Sequence, residues 1–131
     1  MNKYLIDTNI CIYFMKGLNN LKDRFLASGL DNIYISEITL AELKFGIENS
    51  SSKKQNHQTL QNFLTGVQII PIFHSIDFYA SEKARLRKLG SPIDDFDLLI
   101  GATAVTNNLI LVTNNISHFN RIKGIKVENW I

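Results

Sequence analysis

Short apolar runs alternate with longer, partly polar stretches along the 131 residues of this chain. Residues 3–6 read as a strand and 8–16 as a helix. Residues 19–28 form a second helical stretch, with Leu21, Phe25 and Leu26 as its apolar stripe and Gly29 as its stop. Ile33, Tyr34 and Ile35 make a short strand. Ser36 then caps a helix to about Asn49, whose core stripe is Leu40, Leu43 and Ile47. A polar break over 50–54 precedes a helix over 55–64, ended by Gly66. Residues 67–72 predict a buried strand despite Pro71. Residues 75–89 predict a charged helix ending at Gly90, and 92–97 a loop and helix start. Residues 98–105 are apolar nearly all round, the pattern of a central buried helix. Residues 110–112 are a strand, and 126–128 a last edge strand. Strands alternating with helices predict an α/β fold with a mostly parallel sheet of four to five strands. The length predicts one domain over 1–131.

Composition narrows the class. With 45% hydrophobic and 10% aromatic residues the chain can build a globular core. No apolar run approaches the roughly 18 residues of a membrane span, and the opening residues lack the pattern of a signal peptide. A single cysteine, Cys11, lies in an apolar segment and reads as a small buried hydrophobe. A reducing cytoplasm is the expected compartment.

Three acids stand at positions where chemistry is expected. Asp7 ends the first strand and precedes a helix, the edge at which open α/β sheets place ligands. Glu42 lies in a mostly apolar helix after the second strand, where a half-buried carboxylate needs a partner. Asp94, Asp95 and Asp97 cluster before the central helix. Capping and the helix dipole account for one or two of them. Asp95 is the best N-cap candidate, and Asp97 is better placed to face the sheet edge. Carboxylates sharing a pocket repel unless a cation neutralises them. Oxygen donors without a Cys/His cluster point to Mg²⁺ or Mn²⁺. Such an ion polarises a phosphate oxygen and activates water, which implies phosphodiester hydrolysis. With three of the 12 acids in one pocket, nine remain against 14 basic residues on the rest of the chain. That balance suits a polyanion. Lys83, Arg85, Arg87 and Lys88 lie on one helix, and Arg121, Lys123 and Lys126 follow later.

The segments Leu5-Ile6-Asp7-Thr8-Asn9-Ile10-Cys11-Ile12-Tyr13, Ser36 to Leu43, Pro92 to Ala102, and Leu111 to Asn115 with Val127 to Trp130 together resemble a PIN domain of the VapC toxin ribonuclease type. The resemblance spans nearly the whole chain. It implies a PIN-like three-layer α/β/α sandwich and a Mg²⁺-dependent endoribonuclease, with Mn²⁺ able to substitute, whose catalytic acids are Asp7, Glu42 and Asp97. Asp7 and Asp97 would be the principal metal ligands. Thr8, Asn9, Thr113 and Asn115 would support them. The family pattern often adds a late fourth acid. Here Asn115 stands at one such position, and His118 stands where close relatives commonly carry glutamate. His118, Arg85, Arg87 and Lys88 are candidate RNA contacts, with single-stranded loops and structured RNA such as tRNA as the expected substrate. The resemblance also implies a VapB-type antitoxin partner, homodimers and toxin–antitoxin hetero-oligomers, and no membrane. The alternative is a catalytically weak or inactive PIN scaffold acting as an antitoxin-binding partner.

Overall fold

A computed structural model describes residues 2–131. Five short strands, β1 (Tyr4–Ile6), β2 (Ile33–Ser36), β3 (Gln68–Ile70), β4 (Ile110–Val112) and β5 (Lys126–Glu128), pair in the order β3-β2-β1-β4-β5. Every pairing is parallel. The helices are α1 (Thr8–Met15), α2 (Leu21–Ser28), α3 (Glu37–Glu48), α4 (Lys53–Leu64), α5 (Ile76–Lys88), α6 (Asp95–Thr106) and the single turn α7 (Ile116–Phe119).

Side chains alternate across a strand, so the central strands β1, β2 and β4 each feed two cores. Ile6 and Val112 join Ile10, Cys11, Phe25, Leu43, Leu60 and Phe63 on one face. Leu5 and Leu111 join Leu86, Leu98, Ile100, Phe119 and Ile122 on the other. Helices therefore cover both faces of the sheet, giving three layers. The sequence order runs outward from β1 to β2 and β3, then returns to the other side of β1 for β4 and β5. The direction of winding changes between β1 and β4, and the carboxyl ends of those two strands border the switch-point crevice of an open parallel sheet.

Three expectations need correction. The strand expected over 67–72 is only Gln68–Ile70, and it is not buried: Ile69 is 42% exposed. Pairing only with β2, it is an edge strand, and Pro71 lies just past its end. Asp94, not Asp95, is the N-cap of α6: it has extended backbone angles, and its carbonyl accepts from Leu98 N–H at 2.9 Å. Asp95 is already helical, and its carboxylate accepts from the Tyr79 hydroxyl and from Lys83 Nζ, both at 2.8 Å. Leu26, read as part of the apolar stripe of α2, is exposed, while Leu21 and Phe25 are buried. The turn α7 had no sequence signal, because four residues carry no readable period.

Helix α6 is buried over most of its length, as its apolar composition requires. Gly101 lies where α6 meets the chain after β4. A Cβ there would run into Ile122 Cδ1 and come within 3.6 Å of Phe119 Cδ1. This close approach brings α7 against the helix that carries Asp97. Gly101→Val is therefore expected to overpack this contact and lower stability by about 1–3 kcal/mol, read as a lower urea midpoint with an unchanged slope.

Candidate active site

Asp7 leaves β1 and caps α1. Its backbone N–H continues the ladder to the Val112 carbonyl at 2.9 Å, which fixes its place beside β4. Its Oδ1 accepts from Thr8 N–H at 2.8 Å, the capping bond of α1. Its Oδ2 accepts from the Thr113 hydroxyl at 2.8 Å. Thr113 is fully buried just past β4, and its hydroxyl oxygen also accepts from Asn115 N–H at 3.0 Å. The two strands flanking the switch point thus meet through one carboxylate.

Thr8 links Asp7 to the second acid. Its hydroxyl donates to Glu42 Oε1 at 2.7 Å and lies 3.1 Å from the hydroxyl of Thr39, which is fully buried on α3. Glu42 is half-buried on that helix. The third acid, Asp97, sits in the first turn of α6, half-buried, with Oδ2 3.1 Å from His118 Nε2.

The electrostatics follow from burial. Asp7 is 7% exposed, and desolvation pushes its carboxyl above the usual carboxylate range. The bonds from Thr113 and Thr8 oppose this, while the neighbouring charges of Asp97 and Glu42 reinforce it. Burial also raises Asp97. The His118 ring beside it pulls the other way, and Asp94 adds to the rise. Two acids raised chiefly by burial, with neighbouring carboxylates adding to the rise of each, form a site with uncompensated negative charge.

The arrangement is open. Among the described residues no three Asp, Glu, His or Cys side chains close around a common point in the manner of a preformed metal cage. Glu42 is turned toward Thr8 and is coupled to Asp7 through that threonine.

The other candidate residues divide. Thr8 and Thr113 bond directly to the acids. Asn9 faces solvent and bonds to none of the three carboxylates among the described residues. The side chain of Asn115 is exposed and gives α7 no capping bond, so its contact with the site is the backbone N–H on Thr113. Arg85 is engaged elsewhere: Nε and Nη2 clamp the two oxygens of buried Glu82 at 2.6 and 2.8 Å. That pairing holds the Glu82 carboxyl below its usual value. Arg87 and Lys88 are exposed at the end of α5. His57 and His74 are exposed, and Cys11 is fully buried, its thiol pushed up by desolvation. Sequence reasoning did not single out Glu82, nor Thr39 and the role of Arg121, which depend on partners about thirty positions away along the chain.

The raised Asp7 carboxyl has a consequence for stability. Its folded pKa lies above the unfolded value of 3.8, so the folded state holds its proton more tightly. The wild type therefore bears no penalty below that value. It loses stability as pH rises from there through the raised folded pKa, and bears the full penalty above that pKa. Asp7→Asn lacks this titration. The variant is expected to melt higher than wild type at pH 7–8, with the gap shrinking as pH falls toward 3.8. A gap independent of pH in calorimetric melts would refute this account.

The profile of the PIN domain matches residues 4–125. Ribonuclease VapC2 of Rickettsia felis is 40% identical, covering 97% of both chains. The tRNA(fMet)-specific endonuclease VapC of Salmonella typhimurium is 31% identical, covering 99% of both. The solved DNA-bound VapBC of Salmonella typhimurium superposes with a TM-score of 0.93 over all of both chains at 31% identity. The VapBC2 structure from Rickettsia felis, bound to a promoter DNA fragment, gives 0.92 over 98% of both at 37% identity. The fold with its acidic switch point, the profile match and relatives covered nearly end to end all lead to one family: this chain belongs to the PIN-domain VapC ribonucleases.

Proposed function

We propose that this chain is the endoribonuclease toxin of a toxin–antitoxin pair, and that residues 1–131 act as a single PIN domain hydrolysing RNA phosphodiesters with a divalent cation, Mg²⁺ or Mn²⁺. The observation that carries the reading is the set of three acids at the switch point, with Asp7 desolvated and held by Thr8 and Thr113. The donor set fits a hard cation. It offers carboxylate oxygens and no thiolate, and its raised acids carry charge that a cation relieves.

Asp7 and Asp97 would hold the cation. Bound there, a divalent ion supplies Lewis-acid stabilisation of charge on the phosphate and lowers the pKa of water. Asp7 enters with its geometry fixed by two donors, so little reorganisation is needed. Glu42, with Oε1 taken by Thr8, has its other oxygen available to orient the attacking water and accept its proton. Thr113 and Thr8 keep the two acids in register. Arg87 and Lys88 are the exposed cations proposed to meet RNA phosphates; Arg85 is committed to Glu82 and is withdrawn from that role.

The partner proposed is a VapB-type antitoxin, since the solved relatives are VapBC complexes. A groove of about 440 Å³ lies between α1, α3 and α4, lined by Ile12, Met15, Leu43, Ile47 and Leu60, with Glu42 on its wall. It offers an apolar seat beside the acids, where a partner arginine would find charge-assisted bonds. The chain has no helix long and apolar enough to cross a membrane among the described residues.

The test is cleavage of total RNA and of tRNA by purified, antitoxin-free protein. Discrete fragments are expected with Mg²⁺ or Mn²⁺ and none with EDTA. Asp7→Asn, Glu42→Gln and Asp97→Asn should each lose about a hundredfold or more in rate while remaining folded. Folded wild-type protein that cuts no RNA with either ion would instead support the inactive-scaffold reading.

A further inference from the structure

The fourth side chain at the acidic edge is not an acid, and its hydrogen bonds define its state. His118 Nε2 lies 3.1 Å from Asp97 Oδ2, and its other ring nitrogen, Nδ1, lies 2.8 Å from Arg121 Nη2. A guanidinium carries donors and no acceptor, so Nδ1 must accept and bears no proton. The proton of the neutral ring then sits on Nε2 and is donated to Asp97. The tautomer is set from behind, by Arg121.

Arg121 is itself tightly held. Its Nε donates to the His118 carbonyl at 3.2 Å, and its Nη1 donates to the Ser91 carbonyl at 3.2 Å and to the Ser91 hydroxyl and the Pro92 carbonyl at 3.0 Å. Ser91 and Pro92 open the segment that leads into α6. One guanidinium therefore grips both the histidine and the loop that delivers Asp97. Its own carbonyl accepts from Arg85 Nη2 at 2.9 Å, and buried Glu82 clamps Arg85 while accepting from Lys123 N–H at 3.0 Å. The chain Glu82–Arg85–Arg121–His118–Asp97 runs from the middle of α5 to the site. Asp97 Oδ2 is occupied by this chain, and Oδ1 has no donor among the described residues.

We propose that Arg121 and His118 are positioning residues for Asp97: Arg121 holds His118 as the Nε2–H tautomer, and His118 pins Oδ2 so that Oδ1 is the oxygen presented to the cation. The proposal rests on the metal-dependent reading above. It gives His118 a partner in the protein rather than in the RNA.

The tautomer is read directly from long-range ¹H–¹⁵N spectra of the imidazole rings at neutral pH, with His118→Gln identifying one of the three histidines. A protonated Nε2 and a bare Nδ1 are expected in wild type and should be lost in Arg121→Ala. An Nδ1–H tautomer or a doubly protonated ring in wild type overturns the proposal. Mn²⁺ affinity, measured by calorimetry on the full chain without RNA, should fall about tenfold to a hundredfold in His118→Ala and Arg121→Ala. His118→Gln, which keeps an N–H donor near the position of Nε2, should recover most of that loss. In cleavage assays His118→Ala should lower kcat with KM for RNA unchanged, whereas a rise in KM alone overturns the proposal in favour of an RNA contact. Should Arg121→Ala fail to fold, the His118→Ala and His118→Gln pair decides the question alone. The two failures look different. If the ribonuclease reading fails, wild type neither binds Mn²⁺ nor cleaves RNA. If only the positioning role fails, wild type does both and the alanine variants match it.

Discussion

The fold is arranged around a carboxylate that water has largely left. Placing Asp7 at the mouth of β1 with 7% exposure removes most of its hydration, and two neighbouring acids add repulsion. An unpaired charge there would be costly. Two donors offset the cost, and each is supplied by an element the fold places there. Thr8 N–H belongs to the first turn of α1, where helix geometry leaves backbone donors unused. The Thr113 hydroxyl sits past β4, which must therefore lie beside β1. A parallel strand so distant in sequence can reach that place only through crossover helices, so the winding of the sheet and the solvation of one acid are a single constraint.

From that anchor the other acids are reached by short polar steps. Thr8 spans Asp7 and Glu42, using its amide for one and its hydroxyl for the other. Replacing it with a residue lacking the hydroxyl would leave Glu42 half-buried without its donor. Asp97 is reached differently, through a relay that begins at Glu82. This acid, buried at 3% exposure on α5, is a counterpart to Asp7. Glu82 is fully compensated by Arg85 and Lys123 N–H, so its carboxyl is stabilised in the charged form. Asp7 is under-compensated and its carboxyl rises. The contrast separates an acid that holds structure together from one kept ready for a ligand.

Much of this was legible in the sequence, and the limits have physical causes. The strands at 4–6, 33–36 and 110–112 and the buried helix α6 were readable because their apolar runs are set by the core itself. Asp7 was readable because strand, acid and helix are adjacent in the chain. The state of residues 67–72 was not, because Ile69 and Ile70 have the composition of a buried strand, and only the sheet order makes β3 an edge. The choice between Asp94 and Asp95 as cap depended on Tyr79 and Lys83, which draw the Asp95 carboxylate onto α5. Arg85 looked like a free cation on a basic helix, yet the acid three residues before it was already its partner. The link from Arg121 to Ser91 crosses thirty positions, which no local pattern encodes.

A histidine in a ring of acids has an electrostatic logic on the proposed reading. Three carboxylates around one dication leave a net charge of about −1, and a fourth acid would leave about −2 facing an incoming phosphate. A histidine in place of that fourth acid avoids the added repulsion and gives up one anionic ligand in return. What remains for it to contribute is direction: a donor aimed at Asp97, stiffened by a guanidinium that also ties down the loop before α6. A weaker hold on the cation is thereby traded for a more strictly oriented Asp97 and for easier approach of a polyanion. Because Arg121 donates four of its five hydrogen bonds to backbone carbonyls and the Ser91 hydroxyl, the orientation is built into the chain path itself and does not depend on substrate being present.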